Sequence, residues 1–422
     1  MSSTSFDTIG DASAPLEATE ISGDQSHRFL MEGYEFGRHR FEKHRTDAFR
    51  TRLLGRPVTF LRGAGAAEFF YGADRFTRVG AMPRSVLHSL QDEGSVQTLD
   101  FDPHRRRRAI FLDVLGETRR EALTSLVSEE WELRWRSLRE SAEPLSLIQT
   151  SGQVLTDTAL RWLGIECTPE ERRRLAAEFL AMIDGAGSFG PRNWHGRLLR
   201  LRTERWAREL VRFRRTNGSE TTDSPFDRIL QHREEGTPLD ERTAAIELLN
   251  LLRPTVAVSR FVGFAGLALH LHPSWRERVA SDDRWLLPFT EEVRRTAPFF
   301  PAIGGRAIGT QYWRGLTFAP GDWVMVDLFA THRDARRWND PDRFDPGRFV
   351  PHPVEGLVPQ GAGSMTDGHR CPGEPATIDL LAVLVRALAR AEWTAPSQDL
   401  RVDLRRLPAL PGRHGMLIQP SA

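Results

Sequence analysis

Residues 359 to 391 read PQGAGSMTDGHRCPGEPATIDLLAVLVRALARA, a glycine-rich loop that ends at Cys371 and runs straight into an apolar helical stretch. Pro372 stands where a first helical residue would be, because its missing N–H is not needed there. The sulfur is then expected among backbone N–H groups at the positive end of a helix, which favours the thiolate. A thiolate gripped by rigid backbone can serve as a nucleophile or as an axial ligand for iron, and a buried structural thiol is the plainer reading. Pro375 is expected to leave the Cys371 carbonyl without its helical donor.

Working upstream, FTEEVRRTAPFFP (residues 289–301) sets Glu292 and Arg295 one helical turn apart. Alone, such a pair is usually a surface ion pair worth ~0.3 kcal/mol. PDRFDPGRF (residues 341–349) supplies Arg348, which could reach back to that pair, and both signals precede the cysteine loop in order. The longest apolar run, AAIELLNLLRPTVAVSRFVGFAGLALHLHP (residues 244–273), contains Arg253 and Pro254. A buried charge there is costly unless something anionic meets it. Leu249, Asn250, Val256 and Ala257 occupy the neighbouring helical positions, so no acid shares that face. A guanidinium so placed can take a carboxylate bidentately, whereas an arginine on a half-buried helix would simply reach solvent. Pro254 should free the Asn250 carbonyl and kink the helix.

The chain has 422 residues, and Lys+Arg (58) nearly balances Asp+Glu (57), so no whole-chain field recruits nucleic acid or anionic membrane. No Pro/Gly/Ser-rich linker divides it, which predicts a flexible tail over 1–24 and one catalytic domain over 25–422. Arg253, Ser259 and Arg260 interrupt the apolar run, so no membrane span is expected. Two distant cysteines, Cys167 and Cys371, fit a reducing, cytoplasmic setting. Helical periodicity starts near Pro103, Glu117, Leu145, Thr168, His195, Phe226 and Asp240, and residues 216–225 read as an exposed loop. Strands are expected at Val58–Leu61, Gly315–Phe318, Trp323–Leu328 and Met416–Gln419, making a mostly α protein with a small sheet.

Taken together, Glu292-x-x-Arg295, the Pro341–Phe349 segment and Cys371-x-Gly373 resemble the cytochrome P-450 superfamily, from about Arg28 onward. The resemblance implies a triangular helical prism with a small β-rich lobe. Haem b would lie between the central helix and the cysteine-loop helix, with Cys371 as its proximal iron ligand. It assigns His104, Arg108 and His369 to the haem propionates and makes Glu292, Arg295 and Arg348 structural. A solvated basic face is the ordinary reading of the His104–Arg108 run, and a nucleic-acid patch the weaker rival.

Two departures narrow the resemblance. Ser364 and Asp367 stand where the common pattern has Phe and Gly, and Leu252-Arg253-Pro254-Thr255 lacks the acid that usually precedes Thr. Both, together with GPRNWHGR (residues 190–197), resemble the fatty-acid peroxygenase branch. That branch implies an enzyme using hydrogen peroxide to hydroxylate long-chain fatty acids at the alpha or beta carbon, without a redox partner protein. Arg253, beside Pro254, would bind the substrate carboxylate, which replaces the missing acid. Gln97 would sit over the haem, where Gln accompanies hydroxylation and His decarboxylation. Leu90, Phe299 and Phe300 would line the tail pocket, with Gln91 where the branch tends to be aromatic. The alternatives are decarboxylation to terminal alkenes, a reductase-dependent monooxygenase, and a haem carrier or sensor without turnover.

Overall fold

The computed structural model describes residues 15–72, 74–82, 94–141, 143–218, 223–350 and 354–421. Leu90 and Gln91 lie outside them. The chain is mostly helical, and its hub is the helix Glu241–Leu271, which Asp240 caps by accepting from the Thr243 N–H at 2.9 Å. Apolar residues on nearly every face require this helix to be wrapped. The helices Leu147–Trp162, Pro169–Gly185, Pro191–Asn217, Leu286–Thr296 and Glu374–Arg390 surround it. Close approach is possible because Gly266 has no side chain: a Cβ there would lie 2.1 Å from Leu147 Cδ1. Among the described residues this is the one helix long and apolar enough to cross a bilayer, yet its apolar residues belong to the core.

The helical expectations hold in place, with shifted ends. Leu145–Ser146 is a short strand before its helix, the helix expected from His195 begins at Pro191, and it continues through Thr216 to Asn217. Capping fixes two starts: Thr168 with Glu171, and Ser224 with Asp227, each form reciprocal side-chain to backbone hydrogen bonds.

The sheet is larger than the sequence suggests. Six strands run in the order Thr19–Asp24, Ala48–Leu53, Arg56–Leu61, Trp323–Asp327, Ala302–Ala307 and Phe76–Thr77. Thr19–Asp24, expected within the flexible tail, instead pairs parallel to Ala48–Leu53, and the Thr51 hydroxyl donates to the Ile21 carbonyl at 3.1 Å. Its polar composition suits an edge strand, whose partner is supplied from elsewhere in the chain. Leu328, placed in a strand by its apolar character, opens a short helix capped by Asp327. Leu316–Phe318 forms a hairpin with Gln311–Trp313, and Leu417–Pro420 pairs with Trp393–Thr394 and Leu145–Ser146.

Glu292 and Arg295 are fully buried and joined by two hydrogen bonds of 2.7 and 2.8 Å. Arg348 donates to Glu292 at 3.2 Å, as its position after the pair suggested, and the Asp345 N–H adds a bond of 2.7 Å. Arg295 also donates to the carbonyls of His332 and Pro341, each at 2.8 Å. Removing one partner would strand a buried charge. Glu292→Ala is therefore expected to lower unfolding stability by ~3–5 kcal/mol in denaturant titrations; a loss below ~1 kcal/mol would show that the network carries little.

Candidate active site

A cavity of about 1690 Å³ lies between the central helix and the helix that follows the cysteine. Asn250, Arg253, Pro254 and Val258 line one wall, and Cys371, Gly373, Ala376 and Thr377 the other. Cys371 is half-buried and contributes to the cavity wall. The helix starts later than the sequence implied, at Glu374 with Gly373 as its cap, so Pro372 belongs to the preceding turn. That shift resolves the problem posed by Pro375: the Glu374 N–H donates to the Cys371 carbonyl at 3.3 Å.

The expectation of a lowered thiol pKa is corrected. Burial pushes the Cys371 thiol up, against hydrogen bonds from Gly373 and Gln360 that favour the thiolate. Gln360 is held by its own partners. Its Nε2 lies 3.8 Å from Cys371 Sγ and 3.0 Å from Thr377 Oγ1, while its carbonyl accepts the Cys371 N–H at 3.0 Å. Gln360 Oε1 accepts from Arg294 at 3.0 Å, and Arg294 also pairs with Glu291 and Glu374.

One end of the cavity is lined with cations and imidazoles. The His104 and His369 rings lie 4.2 Å apart, and burial holds them at about 4 and about 2, neutral at physiological pH. Arg108 donates to the carbonyls of Met365 and Arg370 and is pushed down to about 10 by burial. Arg78, which sequence reasoning missed, joins them. It is buried beside Phe70, its guanidinium carbon 4.2 Å from the ring centroid, and its Nη2 has no hydrogen-bond partner among the described residues. A lone arginine between Phe76 and Gly80 carries no motif, so only the fold reveals it.

The opposite wall carries Arg253, which is buried and donates to Asn250 Oδ1 at 3.1 Å. Burial is the main cause that pushes it down to about 9, helped by Arg200 and opposed by Glu204. Asn250 in turn donates to Glu247 at 2.8 Å, and Glu247 accepts from Arg107 at 2.9 Å and from the Val96 N–H at 3.0 Å. Glu247 thus ties Arg253 to the turn Val96–Thr98, which carries Gln97. Sequence reasoning missed this carboxylate, whose spacing to Asn250 was its one signal. The helix is continuous through Pro254, and the Thr255 hydroxyl donates to the Leu251 carbonyl at 2.8 Å.

Gln97 lines the cavity with its Oε1 buried and without a partner among the described residues. Phe299 and Phe300 also line it, with ring centroids 4.4 Å apart. They are shared with a second, almost wholly apolar cavity of about 1080 Å³. The structure therefore brings together Arg253, Pro254, Gln97, His104, Arg108, His369, Cys371, Phe299 and Phe300.

A haem fits this donor set. It needs a thiolate-capable sulfur on one wall, an apolar slot and cationic donors for two propionates, and the unpartnered Arg78 Nη2 is a donor in want of an acceptor. Arg78→Met is expected to lower the haem-to-protein ratio of the purified protein several-fold, read from its absorption spectrum. An unchanged ratio would remove Arg78 from the haem site.

Residues 280–413 match the Cytochrome P-450 family model. Steroid 17-alpha-hydroxylase/17,20 lyase of Oryzias latipes is 32% identical over 151 residues, which cover 33% of this chain and 27% of that relative. Cytochrome P450EX alpha (CYP152N1) with myristic acid superposes with a TM-score of 0.90 at 34% identity, covering 96% of this chain and 98% of that one. Cytochrome P-450 OleT, in a variant complexed with arachidonic acid, gives 0.89 at 30% identity, again covering 96% and 98%. With likeness of that degree running the length of both chains, this protein belongs to the cytochrome P-450 family of haem-thiolate oxidoreductases, in the CYP152 group represented by cytochrome P450EX alpha.

Proposed function

We propose that the chain is a fatty-acid peroxygenase: a cytoplasmic enzyme that uses hydrogen peroxide to hydroxylate long-chain fatty acids at the alpha or beta carbon. The observation that carries this reading is Arg253, a buried guanidinium on the wall of the same cavity that Cys371 lines. The bound fatty acids of the related structures support the substrate class.

Haem b would be held by Cys371 as its iron ligand and by Arg78, His104, Arg108 and His369 at its propionates. When bound, it supplies the oxidising centre, to which the thiolate donates electron density. Arg253 binds and orients. Its planar fork takes the substrate carboxylate bidentately, and Asn250, fixed through Glu247, limits the rotation of that fork. The anchored carboxylate would then be placed to hold a proton and move it between the two oxygens of a peroxide beside it. This fills the place of the acid missing from the central helix. Anchoring the head group also brings the alpha and beta carbons nearest the reacting centre. The acyl tail would run past Phe299 and Phe300 into the second cavity.

Hydroxylation is favoured over decarboxylation by Gln97, because an amide cannot exchange protons near neutral pH as an imidazole can. No redox partner protein is required, since peroxide brings both the oxygen and the oxidising equivalents.

Incubation of the purified holoenzyme with hydrogen peroxide and a series of saturated acids should give 2- and 3-hydroxy acids. No terminal alkene is expected. Turnover that appears only with a reductase and an electron donor would overturn the reading. Arg253→Met is expected to lower kcat/KM by ~10²-fold or more. Its thermal midpoint should stay level or rise, because burial places the folded pKa of Arg253 below the unfolded one. Carrying that charge therefore costs stability at neutral pH.

A further inference from the structure

The helix Pro191–Asn217 carries nine arginines against two glutamates, although the whole chain has a net charge of only +1. Its inner face consists of Asn193, Gly196, Arg200, Thr203, Ala207 and Val211, all buried. Gly196 permits close packing there: a Cβ would lie 3.1 Å from the Ala181 carbonyl. The outer face has the complementary periodicity, at Trp194, Leu198, Leu201, Arg205, Arg208 and Arg212. Trp194, Leu198 and Leu201 are 62%, 66% and 60% exposed, and Phe189, just before the helix, is 55% exposed. A tryptophan and two leucines in one stripe are too many to leave in water without a purpose.

Basic side chains ring this apolar stripe. Arg197 and Arg205 are exposed and have no ion-pair partner among the described residues. Arg202 touches Glu178 at 3.2 Å but is 58% exposed. Phe189 also lines the mouth of the apolar cavity of about 1080 Å³, alongside the exposed Leu30 and Leu54.

We propose that this face docks the protein, peripherally, on an anionic phospholipid surface. Trp194, Leu198, Leu201 and Phe189 would enter the interface, and Arg197, Arg202 and Arg205 would meet lipid phosphates. Charge complementarity selects this occupant. A second copy of the chain, related by a twofold axis, would set arginine against arginine. A nucleic-acid backbone would match the arginines but leave the Trp–Leu stripe in water. The dock would bring the apolar cavity mouth to the surface from which a fatty acid emerges. That purpose rests on the fatty-acid reading, whereas the docking itself does not.

The test is co-sedimentation of the full-length holoenzyme with vesicles of phosphatidylglycerol mixed into phosphatidylcholine, and with phosphatidylcholine alone. Binding is expected to need the anionic lipid, to weaken as salt rises, and to fall about tenfold or more in Arg197→Glu/Arg205→Glu. Trp194→Ser/Leu198→Ser should reduce it similarly, with unchanged circular dichroism and unchanged hydroxylation of a dispersed short acid by peroxide. Three results would overturn the proposal: protein left in the supernatant with phosphatidylglycerol, charge-reversed protein that binds equally well, or a concentration-dependent dimer in sedimentation velocity that Trp194→Ser abolishes. Vesicle binding is read without turnover, so a failed substrate assignment and a failed dock give different results.

Discussion

Two adjacent Glu-x-x-Arg pairs on the helix Leu286–Thr296 hold the chemistry of this protein in place. Glu291 with Arg294 and Glu292 with Arg295 differ by one residue, so on a helix they point about 100° apart. The second pair fastens Pro341, Asp345 and Arg348, which braces the segment leading toward the cysteine loop. The first reaches the loop itself, through Glu374 and Gln360, and Gln360 contacts the Cys371 sulfur and accepts the Cys371 N–H. Buried ion pairs contribute little net stability, because desolvation offsets most of their attraction. What they do contribute here is position. A guanidinium with several fixed acceptors leaves the loop few alternative arrangements.

A second buried chain, Arg107–Glu247–Asn250–Arg253, does the same for the opposite wall of the cavity. Here the logic differs, because the terminal guanidinium is held by an amide and burial pushes its pKa down. Glu247 is near enough to orient Arg253 through Asn250, and its oxygens are turned to Arg107, Asn250 and the Val96 N–H. The stability lost by burying Arg253 is the counterpart of its capacity for a ligand.

Much of this was legible in the sequence, for identifiable reasons. Arg253 and Pro254 stand out because a charge and a helix breaker violate the pattern around them, and Cys371 because the glycines around it do. Glu247 and Arg78 were invisible: an acid in the first turns of a long helix and a lone arginine in a short strand–loop region obey local rules. Their roles arise from contacts more than a hundred residues away, with Arg107 and Val96 for one and with the Gly304 carbonyl for the other. The edge strand Thr19–Asp24 was missed for a related reason, since its polar composition satisfies an edge and its partner comes from Ala48–Leu53. The thiol was misjudged because a helix N-terminus was weighed without the desolvation that accompanies it.

Arginine makes the general point most sharply, because a single residue type plays three parts here. Buried against a carboxylate, Arg295 is structural; buried against an amide, Arg253 is a candidate anchor. Exposed beside Trp194 and Leu198, Arg197 and Arg205 belong to a surface. Net charge is blind to all three, since it sums over residues whose fields never meet the same partner. A balance of 58 basic against 57 acidic side chains excludes a strong global field, yet it is compatible with one helix on which nine arginines face two glutamates. What decides each role is the medium around the guanidinium and the nearest acceptor, and both are properties of the fold.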